Sequence, residues 1–169
     1  MQGEQREIPY TLTKEETIMI QNTWGEVYHS KEVAGVKAFL RVFTSFPSSK
    51  QYFSDFQNMK DVEEIQASGL LKKHALRVMT GLNTLVENVR DGEKLVSVIL
   101  LMAKSHALKH NIKAVYFKIL IGAILEVLVE TFPETFGVEV QWAWSKLIDI
   151  FCWHITQVYS DISCASMCE

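Results

Sequence analysis

Residues 95–110 read LVSVILLMAKSHALKH, an apolar run that ends in Lys104, His106 and His110. Ile99, Met102 and His106 recur at the three- and four-residue spacing that places side chains on one face of a helix. An imidazole at the end of such an apolar face needs a partner, because a buried polar group without one is costly. The partner of His106 is therefore the first question that this sequence raises.

Apolar residues recur with helical spacing in the other long segments as well. The period holds across residues 68–90, 114–132 and 138–160, and we find no alternating strand pattern with hairpin turns. The spaced apolar positions are Leu71, Ala75, Val78, Leu82, Leu85 and Val89, then Phe117, Leu120, Ile124 and Leu128, then Val140, Trp144, Leu147, Phe151, Ile155 and Val158. The sequence therefore predicts an all-α domain of seven or eight unequal helices.

Local signals predict where several elements begin. Thr13 and Glu16 have the spacing of a capping box at the start of a first helix, and Pro47 suits the first position of a short helix. We expect a domain over 12–160, with a flexible N-terminal tail at 1–11 and a flexible C-terminal tail at 161–169.

Charge and hydropathy exclude several classes of protein. The net charge of −3 gives no reason to expect nucleic acid or an anionic membrane as partner. The polar start MQGEQREIPY is not a secretory signal, and the most apolar segment, 119–132, is too short for a transmembrane span. These features predict a cytoplasmic protein, and we consider the nucleus as a second compartment.

The chain has three cysteines, Cys152, Cys164 and Cys168, and this low, odd number argues against a disulfide framework. The favoured interpretation is one buried thiol, Cys152, with two tail thiols. The alternative is a redox-sensitive pair or an intermolecular bridge through the tail.

Two of the five histidines lie at the edges of apolar faces on different helices. His74 is one turn from Leu71 and Val78, and His106 ends the run at 95–110. If both face one apolar cleft, haem iron suits them better than zinc, because the porphyrin supplies four ligands and the protein only one or two. The alternative is that both are ordinary core histidines.

The chain resembles the vertebrate globins from about residue 12 to about residue 160. The segments that carry the resemblance are FPSSKQYFSDF at 46–56, LKKHALRVMTGLNTLVENVRD at 71–91, AKSHALKH at 103–110 and VYFKIL at 115–120. Within that family the chain is most similar to the cytoglobins, particularly the fish forms. The resemblance implies the globin fold, with about eight helices packed around haem b.

The resemblance also implies roles for the two histidines. His106 takes the place of the proximal iron ligand, with the Met102 carbonyl or the Ser105 hydroxyl as acceptor for its second ring nitrogen. His74 takes the distal place, where it binds iron when gas is absent and acts on ligands when it has left. It is the residue to which catalysis would be assigned.

Further residues are implied to bind the cofactor. Phe53 would stack on the porphyrin, with Phe56 behind it, and Arg77 and His110 would pair with haem propionates. The complete set implied to bind haem is Phe39, Phe53, Arg77, Val78, Met102, Ser105, His110, Ile112 and Tyr116.

The chain departs from the cytoglobin pattern at four positions. Lys31 and Leu76 replace the cysteines of the regulatory disulfide of mammalian cytoglobins, so that control is not expected here. Phe39 replaces a common leucine and should narrow the distal pocket. Ala114 replaces a proline that usually opens the next helix. Gly35 and Ala75 keep the small residues that the family needs at a helix crossing.

As a globin, the chain would bind O2, NO, CO and nitrite. The resemblance implies nitric oxide dioxygenation, with possible nitrite reductase and peroxidase or superoxide-scavenging activity. Iron would be re-reduced by an external reductase or small reductant, because the chain has no flavin or nicotinamide motif. The alternatives are an oxygen store without turnover and a haem-free helical interaction module. Both a monomer and a homodimer fit the sequence.

Overall fold

The computed structural model describes residues 11–53, 56, 59, 61–107 and 112–167, without the side chains of 165–167. Seven α-helices account for most of this part of the chain, and it contains no strand. They are α1 (Lys14–Val27), α2 (Lys31–Ser45), α3 (Val62–Ala67), α4 (Gly69–Glu87), α5 (Gly92–Ser105), α6 (Ala114–Thr131) and α7 (Val138–Met167). Short 3₁₀ helices span Tyr28–Ser30 and Pro47–Tyr52. The predicted all-α fold is confirmed.

The predicted helix starts are present. The Thr13 side chain accepts a hydrogen bond from the Glu16 N–H at 3.1 Å, and Glu16 accepts one from the Thr13 N–H at 3.0 Å. Lys146 of α7 donates to the same Glu16 carboxylate at 2.9 Å, so the cap also ties α1 to α7. Pro47 begins its 3₁₀ helix.

The last helix is longer than the sequence indicates. It continues to Met167, and therefore through most of the segment that we assign to a C-terminal tail. Cys152 and Cys164 lie on this helix twelve residues apart, about 18 Å along the axis, which is too far for a disulfide between them. Cys152 is half-buried, and burial raises its pKa to about 11, so it stays a thiol. Cys164 is exposed, and Cys168 lies outside the described residues.

Helix α2 packs closely against α4 at Gly35. A methyl group added at Gly35 would lie 3.1 Å from both the Ala75 Cβ and the Met79 Cγ. The small residues expected at this crossing are therefore required by the approach of the two helices.

We expect Gly35→Val to lower the free energy of unfolding by about 2 kcal/mol or more, because the larger side chain forces α2 away from α4. Gly25→Ala is the control, since a methyl group there meets nothing within 4 Å and should raise helix stability by up to about 1 kcal/mol. Urea unfolding of both variants measures the difference. An unchanged urea midpoint for Gly35→Val would show that α2 and α4 do not approach each other this closely.

Two apolar clusters fill the interior. The main core includes Trp24 and Trp144, whose indole N–H groups donate to Asn83 and Thr23, each at 2.9 Å. We call the second the aromatic cluster; it consists of Val36, Phe39, Phe43, Phe56, Ile65, Leu71 and Ala75. Val78 and Leu120 are half-buried and pack against both clusters, so they mark the boundary between them.

Helix α6 begins at Ala114, as expected for the position that usually holds proline. Its N-cap, Lys113, has φ −66° and ψ 140°, the extended conformation that a following proline requires, and no side chain caps the helix. Among the described residues, no helix combines the length and the apolar character that a membrane crossing needs.

We expect Ala114→Pro to stabilise the fold by about 0.4–1 kcal/mol, because proline suits the first helical position and restricts the unfolded chain. Thermal unfolding measures the gain. Ala123→Pro is the contrasting variant, since a proline inside α6 should cost about 3 kcal/mol. A lower melting temperature for Ala114→Pro would show that the helix start is not preorganised for proline.

Candidate haem site

His106 is fixed at the end of α5, where the chain continues into a wider, π-type turn through His106 and Ala107. Its Nδ1 lies 2.7 Å from the carbonyl oxygen of Met102, one turn earlier. A carbonyl only accepts hydrogen bonds, so Nδ1 carries a proton, and in the neutral ring the lone pair is then on Nε2. Of the two predicted acceptors, the Met102 carbonyl is confirmed. This neutral tautomer is the one that binds a metal through Nε2.

Phe117 of α6 contacts the His106 ring edge-on, with ring centres 5.0 Å apart and planes at 78°. It therefore restricts the imidazole to one orientation. Sequence reasoning assigned Phe117 only to the apolar face of its helix. Its position next to the predicted Tyr116 was the only available signal, because the contact joins two helices.

His74 of α4 contacts two phenylalanines. Its ring centre is 5.1 Å from that of Phe39, at 62°, and 4.9 Å from that of Phe53, at 77°. Phe39 and Phe53 also meet each other edge-on at 5.7 Å. The half-buried imidazole thus lies against the aromatic cluster, which fixes its orientation and excludes water from one side.

Ile112 and the first turn of α6 are tied to the rest of the molecule. The Tyr159 hydroxyl of α7 donates to the carbonyl of Ile112, and Tyr159 also packs against Phe117 with ring centres 6.3 Å apart. Tyr116 shares a hydrogen bond of 2.9 Å with Ser48 and packs edge-on against Tyr52. These contacts join α6 and α7 to the 3₁₀ helix that precedes Phe53.

Tyr159→Phe should destabilise the fold by about 1 kcal/mol and speed haem loss, because the Ile112 carbonyl loses its donor. Burial, followed by the nearby Tyr52, raises the pKa of Tyr159, so its hydroxyl remains a donor at neutral pH. Urea unfolding and transfer of hemin to an acceptor protein measure the two effects. Tyr28→Phe, at the end of α1, is the control. Equal haem loss in both variants would contradict a role for this hydrogen bond.

The other residues predicted to bind haem differ in how far their side chains are buried. Val78, Met102, Ser105, Ile112 and Tyr116 are half-buried, Phe56 is buried, and Arg77 is exposed, without an ion pair to any described residue. His110 lies outside the described residues. At the positions without the regulatory cysteines, the Lys31 ammonium lies 4.3 Å from the Tyr28 ring centre, and Leu76 is half-buried.

These residues fit haem better than a protein-only metal site. In the described part of the chain, no group of three or more histidine, cysteine, aspartate or glutamate side chains is placed to hold one metal ion. Haem iron needs only one or two protein ligands, and the His106 tautomer is of the type that can serve as one. The half-buried side chains of Phe53, Val78 and Leu120 give apolar surface of the kind that a porphyrin covers.

Comparison with known proteins agrees with this chemistry. Residues 36–155 match the globin family. The chain is 51% identical to Cytoglobin-2 of Danio rerio over 159 residues, which cover 94% of this chain and 89% of the relative. It is 50% identical to Cytoglobin-1 of Danio rerio, covering 91% and 89%, and 49% identical to Cytoglobin-2 of Oryzias latipes, covering 89% and 84%. The chain therefore belongs to the globin family, as a cytoglobin-like globin that binds haem and small gaseous ligands.

Proposed function

We propose that His106 and His74 bind haem iron from opposite faces in the gas-free protein, and that His74 leaves to admit O2, NO or CO. The observation that carries this proposal is the 2.7 Å contact between His106 Nδ1 and the Met102 carbonyl, which makes Nε2 the iron-binding atom of the neutral ring. When bound, haem supplies a redox-active iron that binds diatomic gases. The cofactor is proposed to be haem b, because the sequence has no Cys-x-x-Cys-His motif for covalent attachment.

His74 has two roles in this proposal. While it occupies the distal position it competes with gas, so the apparent affinity falls with the fraction of molecules in which it has left. After it leaves, its Nε2–H can donate a hydrogen bond to a ligand that carries partial negative charge, which favours oxygen over carbon monoxide. Phe39 and Phe53 limit the positions that the departed ring can adopt.

The reaction that we propose is nitric oxide dioxygenation. One NO, one O2 and one electron give one nitrate, and the electron comes from an external reductase or small reductant. The aromatic cluster contributes a dry distal side, where Phe39, Phe43 and Phe56 are each no more than 4% exposed. A dry pocket protects a reactive gas adduct from water and strengthens the hydrogen bond from His74.

Further residues are proposed to contact the haem. Met102, Val78, Ile112 and Tyr116 would line it, Phe53 would stack on it, and Ser105 would neighbour its proximal ligand. Arg77 is proposed to pair with a propionate, since it is exposed one turn after His74. His110 is proposed for a similar pairing. We also propose that the protein reduces nitrite and has peroxidase activity. Its proposed location is cytoplasmic or nuclear, and its proposed state is a monomer or a homodimer.

A stopped-flow experiment tests the reaction against simple oxygen storage. The oxygenated protein is mixed with NO, nitrate is measured, and re-reduction is followed with a supplied reductase or ascorbate. We expect one nitrate per haem in the first mixing and repeated cycles while reductant lasts. Nitrate formation without re-reduction would support the storage alternative. A purified protein that takes up no hemin would contradict the cofactor itself.

A further inference from the structure

A cavity of about 910 Å³ lies away from the candidate haem site. Its walls come from the start of α1, the segment joining α4 to α5, and the middle of α7. None of its lining residues is among those assigned to haem. Its volume falls within the range of about 300–1,000 Å³ that is usual for small-molecule pockets.

The walls are largely apolar. Five aliphatic side chains contribute to them: Leu12, Val89, Leu95, Val96 and Ile150. The mouth carries charges of both signs, with Lys14 and Arg90 opposed by Glu93. A charged ligand would therefore meet repulsion as well as attraction, and an uncharged apolar body suits this surface best.

One polar group in the wall has no partner. His154 lines the cavity and is 6% exposed, and its Nε2 makes no hydrogen bond to any described residue. A buried polar atom without a partner costs free energy that a ligand recovers by pairing with it. Because burial lowers the pKa of His154, the ring is neutral at neutral pH and prefers a neutral partner.

We propose that this cavity binds a small, uncharged, mainly apolar molecule that carries one hydroxyl group, with the hydroxyl paired to the imidazole of His154. A hydroxyl both donates and accepts, so it matches either tautomer of the ring. The apolar body packs on the aliphatic wall. Because Nε2 itself is buried, this pairing requires the imidazole to turn about its Cβ–Cγ bond.

The probe is 2-naphthol, and naphthalene, which has the same rings but no oxygen, is the ligand control. Binding is measured by calorimetry on the full-length, haem-loaded ferric protein with cyanide on the iron, so that the haem pocket is closed to both compounds. We expect saturable binding of 2-naphthol about fivefold tighter than that of naphthalene, since one net hydrogen bond separates them.

Two variants locate the site. His154→Phe should make the two compounds bind equally, and Val96→Trp should weaken both by filling the cavity. His29→Phe, at an exposed histidine, should leave both affinities unchanged. No saturable binding, or a preference for 2-naphthol that survives His154→Phe, would overturn the proposal. Nuclear Overhauser contacts between the His154 ring and residues 1–10 would also overturn it, because the chain itself would then fill the cavity.

Discussion

His106→Gly is expected to lower the affinity for hemin by at least about a hundredfold, because changes to partners of a metal ligand alone cost 10- to 100-fold. The bond from Nδ1 to the Met102 carbonyl sets both the tautomer and the direction of Nε2, and Phe117 holds the ring from the side. Hemin titration, followed by absorbance, measures the loss.

Added imidazole separates ligand loss from misfolding. The glycine variant leaves room for a free imidazole, which should restore the haem spectrum if the pocket is intact. His29→Gly is the matched control and should bind hemin like the original chain, because His29 is exposed outside the site. Unchanged hemin affinity in His106→Gly would contradict the assignment of the proximal ligand.

Met102→Leu is not an equivalent test. The group that His106 contacts on residue 102 is the backbone carbonyl, which every amino acid supplies. The thioether of Met102 lies elsewhere: its terminal carbon would be 3.4 Å from a methyl group placed on Gly81 of α4. A change at Met102 therefore alters the packing of α4 on α5 and leaves the acceptor in place.

Much of the fold could be predicted because it follows from local rules. Helical spacing predicted the buried faces, including Leu71, Ala75 and Leu85 on α4, which are all at most 3% exposed. The capping box at Thr13 and the proline at position 47 each act within a few residues. Such signals can be read from one sequence without knowing which helices meet.

The parts that could not be predicted depend on contacts across the chain. The Tyr159 hydroxyl reaches the Ile112 carbonyl over 47 residues, and Trp144 donates to Thr23 over 121 residues. The cavity at His154 likewise needs three separate segments. Helix α7 continues past residue 160, although the polar residues there lack an apolar face, because a helix already formed is easily extended.

The distal side of the haem site depends both on what the sequence predicts and on contacts that only the structure shows. The resemblance to the globins indicates that Phe39 is larger than the leucine common at that place, and so predicts a narrower pocket. The structure adds that Phe39 and Phe53 both contact the imidazole of His74. The larger ring therefore acts on the histidine as well as on the space for gas, which makes His74 the residue whose removal should change ligand binding most.

His74→Leu is expected to give a five-coordinate gas-free haem and faster gas binding. If the open state is populated at about 0.1–10%, as is common for a minor conformation, removing the competitor raises the CO association rate by about ten- to a thousandfold. Carbon monoxide is the suitable probe, because its binding depends little on the hydrogen bond from His74, which the variant also loses. Leucine keeps an apolar side chain against Phe39 and Phe53, so the aromatic cluster should stay packed.

Absorption spectra and flash photolysis measure these changes. The ferrous, gas-free protein should show two sharp visible bands before the substitution and one broad band after it. Oxygen should leave the variant faster, because the Nε2–H donor is gone. His29→Leu controls for the loss of a histidine far from the pocket. A spectrum that stays split in His74→Leu would mean that another group binds the iron, and the distal assignment would then be wrong.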